Sequence, residues 1–311
     1  MYSPAYLKIS EMASQPEAVE RSVAYLEKHI RRFLRKRERV LICFSAEEGN
    51  IRHIFEKAVV RCGGIPMLLG EDRRWKTILK TAFTNKCNAI VGPPLLVLGL
   101  GKLARHMGTP LYTRNVVLAG YPCMDWMVEG IQRELDCKVW GCFDPGAGSL
   151  VAGFSCGRDW GVHVRDEEFG LEIVDDSGMP LPDGTIGRVI LYPKSDPSIR
   201  FDTMDRGRLD PKTCVCGSAV PRLTAINAET GEKAKLSKLG EELHSWTSIL
   251  DCRLAECGYG LELEMVVFPG EKLPKLPSFS KMVIRPWDPE TDAPFPHSFV
   301  MKNRLFSEEN H

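Results

Sequence analysis

The order of apolar and polar residues predicts alternating strands and helices over the first half of the chain. Short apolar runs typical of buried strands lie at 40–45, 65–70, 87–91, 115–120 and 137–143. Helical spacing of apolar residues covers 15–38, 51–62, 73–84, 95–107 and 124–135. This alternation predicts an α/β fold with a largely parallel sheet flanked by helices. Ligands of such sheets bind beyond the carboxyl ends of the strands, at the turns 45–50, 120–123 and 141–149.

The second half of the chain has a different pattern. Short β-like runs follow at 161–165, 169–175 and 187–193, separated by turn residues. The last part predicts a helix over 241–256 and strands over 260–268 and 281–287. We therefore expect an N-terminal helical segment (1–38), an α/β core ending in a β-rich segment (39–224), and a small α+β unit (225–311).

Two pairs of potential metal ligands bracket the β-rich segment. Cys156 and His163 stand on either side of one turn, and Cys214 and Cys216 share a second, short turn. Strands between the pairs can fold back and bring them together, and three thiols with one imidazole make a closed, structural zinc site. The alternative is a set of unrelated core thiols and a core histidine, which eleven cysteines allow. The paired spacing and the turn glycines favour zinc.

Composition narrows the choice of partner. Lys and Arg number 41, and so do Asp and Glu, so no net charge attracts nucleic acid or an anionic membrane. The longest apolar run, 89–101, is too short to span a bilayer and contains two prolines. Cysteines scattered through apolar strands are typical of reduced thiols, which predicts a cytoplasmic location. We expect a small molecule or another protein as partner.

The turn at 45–50 argues against two common nucleotide sites. A loop that holds a triphosphate needs glycines for close approach and Ser, Thr or Lys to meet the oxygens. This turn carries two carboxylates, Glu47 and Glu48, instead. The chain contains neither a Gly-x-x-x-x-Gly-Lys-[Ser/Thr] motif nor a Gly-x-Gly-x-x-Gly motif after a strand. An ordinary P-loop enzyme and an ordinary dinucleotide dehydrogenase are both excluded.

A series of short motifs resembles one family in order and spacing. The chain is similar to the phenylacetate:CoA ligase branch of the adenylate-forming enzymes over roughly 40–222. The motifs are Leu118-Ala-Gly-Tyr-Pro122, Trp140-Gly-Cys-Phe-Asp144-Pro-Gly, Cys156, Gly161-Val-His163, Pro182-Asp-Gly184, Ile199-Arg-Phe-Asp-Thr-Met-Asp205, Cys214-Val-Cys-Gly217 and Pro221-Arg222.

The resemblance implies a chemistry and a set of roles. Members of the family use ATP and Mg²⁺ to convert a carboxylic acid to an acyl-adenylate, and usually pass the acyl group to CoA. Asp205 would hold the ribose hydroxyls, and Asp144 would stand at the magnesium-binding position. The other residues that the resemblance places near the nucleotide are Gly120, Tyr121, Pro122, Trp140, Gly141 and Arg222. The zinc ligands match residues that many members of this branch carry.

The same comparison shows departures, which leave two hypotheses. Before residue 40, where the family has its Ser/Thr/Gly-rich phosphate loop, the pattern predicts a charged helix, and the tail is short for the family's mobile domain with its lysine. The chain is then expected to be shortened at both ends. It is either a minimal adenylate-forming enzyme, completed by a second copy or a partner subunit, or a catalytically silent zinc-containing protein that binds a nucleotide or a partner.

Overall fold

The structure is a computed structural model of the 311-residue chain. It describes residues 7–8, 16–45, 48, 50–121, 123–145, 150–226, 232–257, 260–273, 275–276 and 278–295. In these ranges no helix has both the length and the apolar character needed to cross a bilayer.

The first half of the chain forms the predicted α/β layers. The strands are β1 (Leu7–Lys8), β2 (Arg39–Ile42), β3 (Ile65–Leu68), β4 (Ala89–Gly92), β5 (Asn115–Leu118) and β6 (Lys138–Phe143). The helices are α1 (Pro16–Ile30), α2 (Asn50–Arg61), α3 (Trp75–Thr84), α4 (Pro94–His106) and α5 (Asp125–Leu135). Strands β2 to β6 pair in parallel in the order β3-β2-β4-β5-β6. The predicted mixed α/β fold is thus confirmed, although α1 ends at Ile30 and not at residue 38.

Side chains of this sheet alternate between two cores, one on each face. Val40 and Ile42 of β2 pack with α1 and α2, whereas Leu41 and Cys43 pack with α3, α4 and α5. Both faces are covered, as expected for parallel strands whose residues are almost all apolar. This arrangement leaves the carboxyl ends of the strands as the edge where polar side chains collect.

The β-rich segment continues the same sheet with antiparallel strands. They are β7 (Gly153–Phe154), β8 (Val162–Val164), β9 (Phe169–Val174), β10 (Gly187–Pro193), β11 (Phe201–Leu209) and β12 (Arg222–Thr224). Beyond β6 the order is β7-β8-β12-β11-β10-β9, and β1 pairs in parallel with β11. Because β8, β11 and β12 are neighbours, the turns that join them come close together.

The C-terminal unit corrects one prediction. The expected helix over 241–256 is wrong, because α6 (Glu232–Ser245) ends earlier and β13 (Ile249–Cys257) follows. Strand β13 pairs with β14 (Gly260–Val267), which pairs with β15 (Lys281–Pro286). Cys252 and Leu254 are buried while Arg253 between them is half-buried, which is the two-residue period of a strand.

This unit shares a hydrophobic core with the parallel sheet. Leu250, Val266, Phe268 and Trp287 are buried in the same cluster as the apolar faces of α3 and α4. Lys102 of α4 is 1% exposed, and its ammonium donates to the carbonyl oxygens of Trp246 (3.1 Å) and Ile249 (2.8 Å). The proposed boundary near residue 225 therefore separates segments of sequence that pack against each other in the folded chain.

Candidate functional site

The antiparallel half of the sheet brings the four predicted metal ligands together. Cys156 follows β7, His163 lies in β8, and Cys214 and Cys216 lie in the turn between β11 and β12. Strand β8 pairs on one side with β7 and on the other with β12, so that His163 faces Phe154 and Arg222 in register. One ligand atom from each of the four residues lies within 4.8 Å of all the others.

The distances within this metal cluster suit a tetrahedral ion. The Sγ atoms of Cys156 and Cys214 are 3.6 Å apart, and Cys216 Sγ is 3.4 Å from His163 Nε2. Ligand atoms about 2.3 Å from a tetrahedral zinc are about 3.8 Å from each other. His163 Nδ1 lies 2.8 Å from the carbonyl oxygen of Val220, which requires the proton on Nδ1 and leaves Nε2 as a ligand. The cluster can therefore hold a metal ion.

The pKa values of Cys156 and Cys214 also favour a bound metal ion. Burial raises the pKa of Cys156, but hydrogen bonds from the backbone N–H groups of Asp159 and Arg158 outweigh it and lower the pKa to about 6. The Arg158 nitrogen is 3.4 Å from the sulfur. Burial and the neighbouring thiols raise the pKa of Cys214 to about 12, because a second negative charge beside Cys156 is unfavourable unless a cation shares it.

A second group of polar residues lies at the carboxyl ends of the parallel strands. We call Glu48, Gly120, Tyr121, Asp144 and Asp205 the carboxylate edge. The backbone N–H of Gly120 is 3.0 Å from both carboxylate oxygens of Asp144, and the Tyr121 hydroxyl donates to Glu48 Oε1 at 3.0 Å. Gly120 has φ +82°, and a Cβ there would lie 2.7 Å from the Phe44 ring. Only glycine fits this turn without strain.

Burial and a neighbouring charge change the protonation of Asp144 at the carboxylate edge. Burial raises the pKa of Asp144 to about 8, the Gly120 hydrogen bond opposes this, and the nearby Asp205 carboxylate raises it further. Asp144 and Asp205, the residues expected to hold magnesium and ribose, are thus close enough for the charge of Asp205 to act on Asp144. A protonated carboxyl that ionises beside a second carboxylate is suited to binding a cation.

Asp205 lies in an irregular stretch of β11, where the pairing with β10 shifts register between Arg188 and Ile190. Asp202 Oδ1 accepts from the N–H of Met204 (2.8 Å), and Thr203 Oγ1 accepts from the N–H of Asp205 (3.2 Å). Met204 has φ +62° and its side chain is exposed. A methionine therefore adopts here the left-handed backbone conformation that glycine usually takes.

Trp140 and Arg222, which were also expected near the nucleotide, make contacts within the sheet. Trp140 is buried between Phe33 and Phe154, and its Nε1 donates to Asn115 Oδ1 (3.0 Å) at the amino end of β5. The Arg222 guanidinium forms ion pairs with Asp210 and, at 3.4 Å, with Asp159 beside the metal cluster.

Two further expectations concern the strand β6 and the turn after β5. Gly141 is covered by Trp160, whose ring would lie 3.3 Å from a Cβ at that position. Pro122 and the end of the turn at 146–149 lie outside the described residues.

Two residues at or beside the carboxylate edge were not predicted as site residues from the sequence. Glu48 lies in the turn after β2 that was noted for its carboxylates, and Arg73 follows β3. Both residues follow parallel strands, and polar groups collect at the carboxyl ends of such strands. The predicted ends of β2 and β3 are therefore the sequence signal for Glu48 and Arg73.

Several solved structures share this fold. 2-Hydroxyisobutyryl-CoA ligase in the postadenylation state superposes with TM-score 0.64 at 16% identity, over 79% of this chain and 58% of that one. A benzoate CoA ligase from Burkholderia xenovorans LB400 gives 0.59 at 12% identity, over 92% and 65%. The amide bond synthetase McbA from Marinactinospora thermotolerans gives 0.55 at 16% identity, over 85% and 61%.

These likenesses define the fold. The chain has the fold of adenylate-forming CoA ligases, and it spans less than two thirds of the length of the 2-hydroxyisobutyryl-CoA ligase. No protein-family model and no curated protein matches the sequence. The phenylacetate:CoA ligase branch is thus an expectation from the motifs alone.

Proposed function

We propose that the chain is an adenylate-forming enzyme related to phenylacetate:CoA ligase, which binds an adenine nucleotide or acyl-adenylate and acts on a carboxylic acid. The observation that carries the proposal is the buried Asp144 carboxyl, which accepts from the Gly120 N–H at the carboxyl edge of the sheet and whose pKa the charge of Asp205 helps to raise. The fold of the adenylating ligases supports it. The partners are then an adenine nucleotide, a carboxylic acid and, as acceptor, CoA.

Each group of the carboxylate edge has a role in this proposal. Asp205 accepts from the ribose hydroxyls, and Asp144 ligates Mg²⁺, whose charge would offset the burial that now raises its pKa. Gly120, Tyr121 and Pro122 border the adenine. Trp140, Gly141 and Arg222 act indirectly in this proposal. Trp140 and Gly141 hold strand β6 in place, and Arg222 holds the part of the β-rich segment that carries the metal cluster. Bound magnesium would supply charge neutralisation as a carboxylate attacks a phosphate.

We propose zinc as the structural metal in the cluster of Cys156, His163, Cys214 and Cys216. Three sulfurs and one nitrogen select zinc over harder cations, and four protein ligands leave no position for water. The described cysteines are free thiols, which supports the cytoplasmic location expected from the sequence.

A second candidate is a catalytically silent protein that binds a nucleotide or a partner subunit. The observation that favours it is Glu48, whose carboxylate binds the Tyr121 hydroxyl and the Ser45 N–H at the end of β2. A carboxylate at this position repels the phosphates that a catalytic loop would have to attract.

Calorimetric titration with AMP, ATP and CoA tests the nucleotide site. We expect AMP binding that Asp205→Ala weakens at least tenfold, because the ribose loses its acceptor. The matched control is Asp176→Ala, which removes an exposed carboxylate paired with Arg206 on the same sheet. Unchanged AMP binding by Asp205→Ala would refute the assignment.

Pyrophosphate exchange distinguishes the two candidates. Exchange that depends on added carboxylic acid is expected of the enzyme. AMP binding without exchange, over a panel of aliphatic and aromatic acids, is expected of the silent protein.

A further inference from the structure

The turn after β3 presents two adjacent arginines with opposite surroundings. Arg74 is used within the fold, since it forms an ion pair with Asp72 (2.6 Å) and reaches Glu290 of the C-terminal unit (3.7 Å). Asp72 also accepts from the Arg74 N–H (3.1 Å) and from the Thr77 hydroxyl (2.7 Å), which fixes the start of α3. Arg73 is thereby held on a rigid turn with its side chain directed elsewhere.

Of the two terminal nitrogens of the Arg73 guanidinium, only Nη2 has a hydrogen-bond partner among the described residues. Its Nη2 donates to the carbonyl oxygen of Cys43, at the end of β2, at 2.7 Å. Its Nη1 is buried and has no hydrogen-bond partner among the residues that the structure describes. A buried donor without a partner is unfavourable, and a bound acceptor would satisfy it.

Its surroundings place this charge at the carboxylate edge. Burial, Glu48 and Asp144 raise the pKa of the Tyr121 phenol, whereas the positive charge of Arg73 lowers it. It also acts on the Cys43 thiol directly beneath it. An anionic ligand that enters this edge meets two carboxylates, and it needs a positive group to offset their repulsion.

We propose that Arg73 binds an anionic oxygen group of the ligand, either a nucleotide phosphate or a substrate carboxylate. This inference rests on the proposed function and names a residue that supplies the positive charge an anionic ligand needs beside these carboxylates. Arginine suits the task because its planar fork can keep one arm on the Cys43 carbonyl while the other donates to the ligand.

The test compares charged and neutral ligand pairs on Arg73→Gln, which removes the charge. AMP is paired with adenosine, and benzoate with benzamide, in calorimetric titrations. A loss of at least tenfold for AMP with adenosine unchanged identifies the phosphate as the group bound. The same loss for benzoate with benzamide unchanged identifies the carboxylate. Arg73→Lys, which keeps the charge without the fork, is expected to lose less in either case.

Arg74→Gln is the matched control, since it removes the same charge one residue along and is expected to keep wild-type affinity for both anions. Arg73→Gln with unchanged affinity for AMP and benzoate, or with equal losses for the charged and neutral members, overturns this inference while the proposed function stands. Wild-type protein that binds none of the four probes overturns both.

Discussion

The fold contains two thiol–imidazole pairs with almost the same separation and different properties. Cys216 Sγ lies 3.4 Å from His163 Nε2 in the metal cluster, and Cys252 Sγ lies 3.3 Å from His244 Nε2 within the C-terminal unit. The first pair has two further thiols within reach of a common centre. The second pair is packed against the Trp126 ring, 5.7 Å from the imidazole, and beside the ammonium of Lys102.

Local charge separates the two pairs. Burial and the Lys102 charge lower the pKa of His244 to about 3, and burial raises the pKa of Cys252 well above its usual range. Both groups are therefore neutral at physiological pH, and the contact is a hydrogen bond. In the metal cluster, backbone N–H groups favour a thiolate on Cys156 instead. Separation alone does not define a metal site, because the ligand must also be able to carry charge.

Removing a ligand from the metal cluster is expected to have the largest effect. Cys214→Ser leaves two sulfurs and one nitrogen, so we expect the metal to be lost and the free energy of unfolding to fall by about 4 kcal/mol or more. Metal content by mass spectrometry and urea unfolding measure the two effects. Cys137→Ser, at a half-buried thiol outside the cluster, is the control. Metal-free wild-type protein of full stability would contradict the assignment.

A pH dependence is expected from the buried charges near the second pair. Burial raises the pKa of Asp251 to about 7, with hydrogen bonds from the Phe295 and Cys252 N–H groups and the charges of Lys102 and Arg285 acting against it. The folded state then holds a proton that the unfolded state releases near pH 4. The sign follows: stability is lost as the pH rises from about 4 to 7, by up to about 1.4 kcal/mol per pH unit.

Asp251→Asn is expected to remove this slope, which unfolding free energies measured at pH 5, 6 and 7 would show. Burial lowers the pKa of Lys102 to about 8, so the unfolded state binds its proton more tightly and stability rises again above about pH 8. A variant whose slope between pH 5 and 7 equals that of wild type would show that Asp251 is not the source.

The smallest effect is expected at the second pair itself. Cys252→Ala removes one sulfur and its hydrogen bond to His244, so we expect a loss of about 1–2 kcal/mol with unchanged metal content. Urea unfolding and metal analysis measure these. Loss of metal from Cys252→Ala would break the distinction between the two pairs.

The sequence predicted the elements and clusters that depend on local pattern. Five apolar strands separated by amphipathic helices specify a parallel sheet covered by helices on both faces. Cys156 and His163 are joined by a short turn, as are Cys214 and Cys216, so only the pairing of β8 with β12 was needed to complete the cluster. Asp144 and Asp205 were predicted from motifs, and the charge of Asp205 acts on Asp144 in the folded chain.

The errors arise where distant contacts decide the structure. Residues 249–257 contain Leu, Ala, Glu and Arg, which favour helix, yet pairing with β14 makes them a strand. Lys102 lies in an apolar helix whose pattern gives no sign that its ammonium reaches the end of α6. The partners of Arg73 and Arg74 are likewise set by Cys43 and by Glu290, which are far away in the sequence.

The core shared by the C-terminal unit and helix α4 has a consequence for movement. Movement of the C-terminal unit away from α4 would expose Leu250, Phe268 and Trp287 to water. Exposing each such side chain costs about 1.5–3 kcal/mol. It would also strip Lys102 of the two carbonyls that solvate its charge. Separation would thus resemble partial unfolding more than rotation about a hinge.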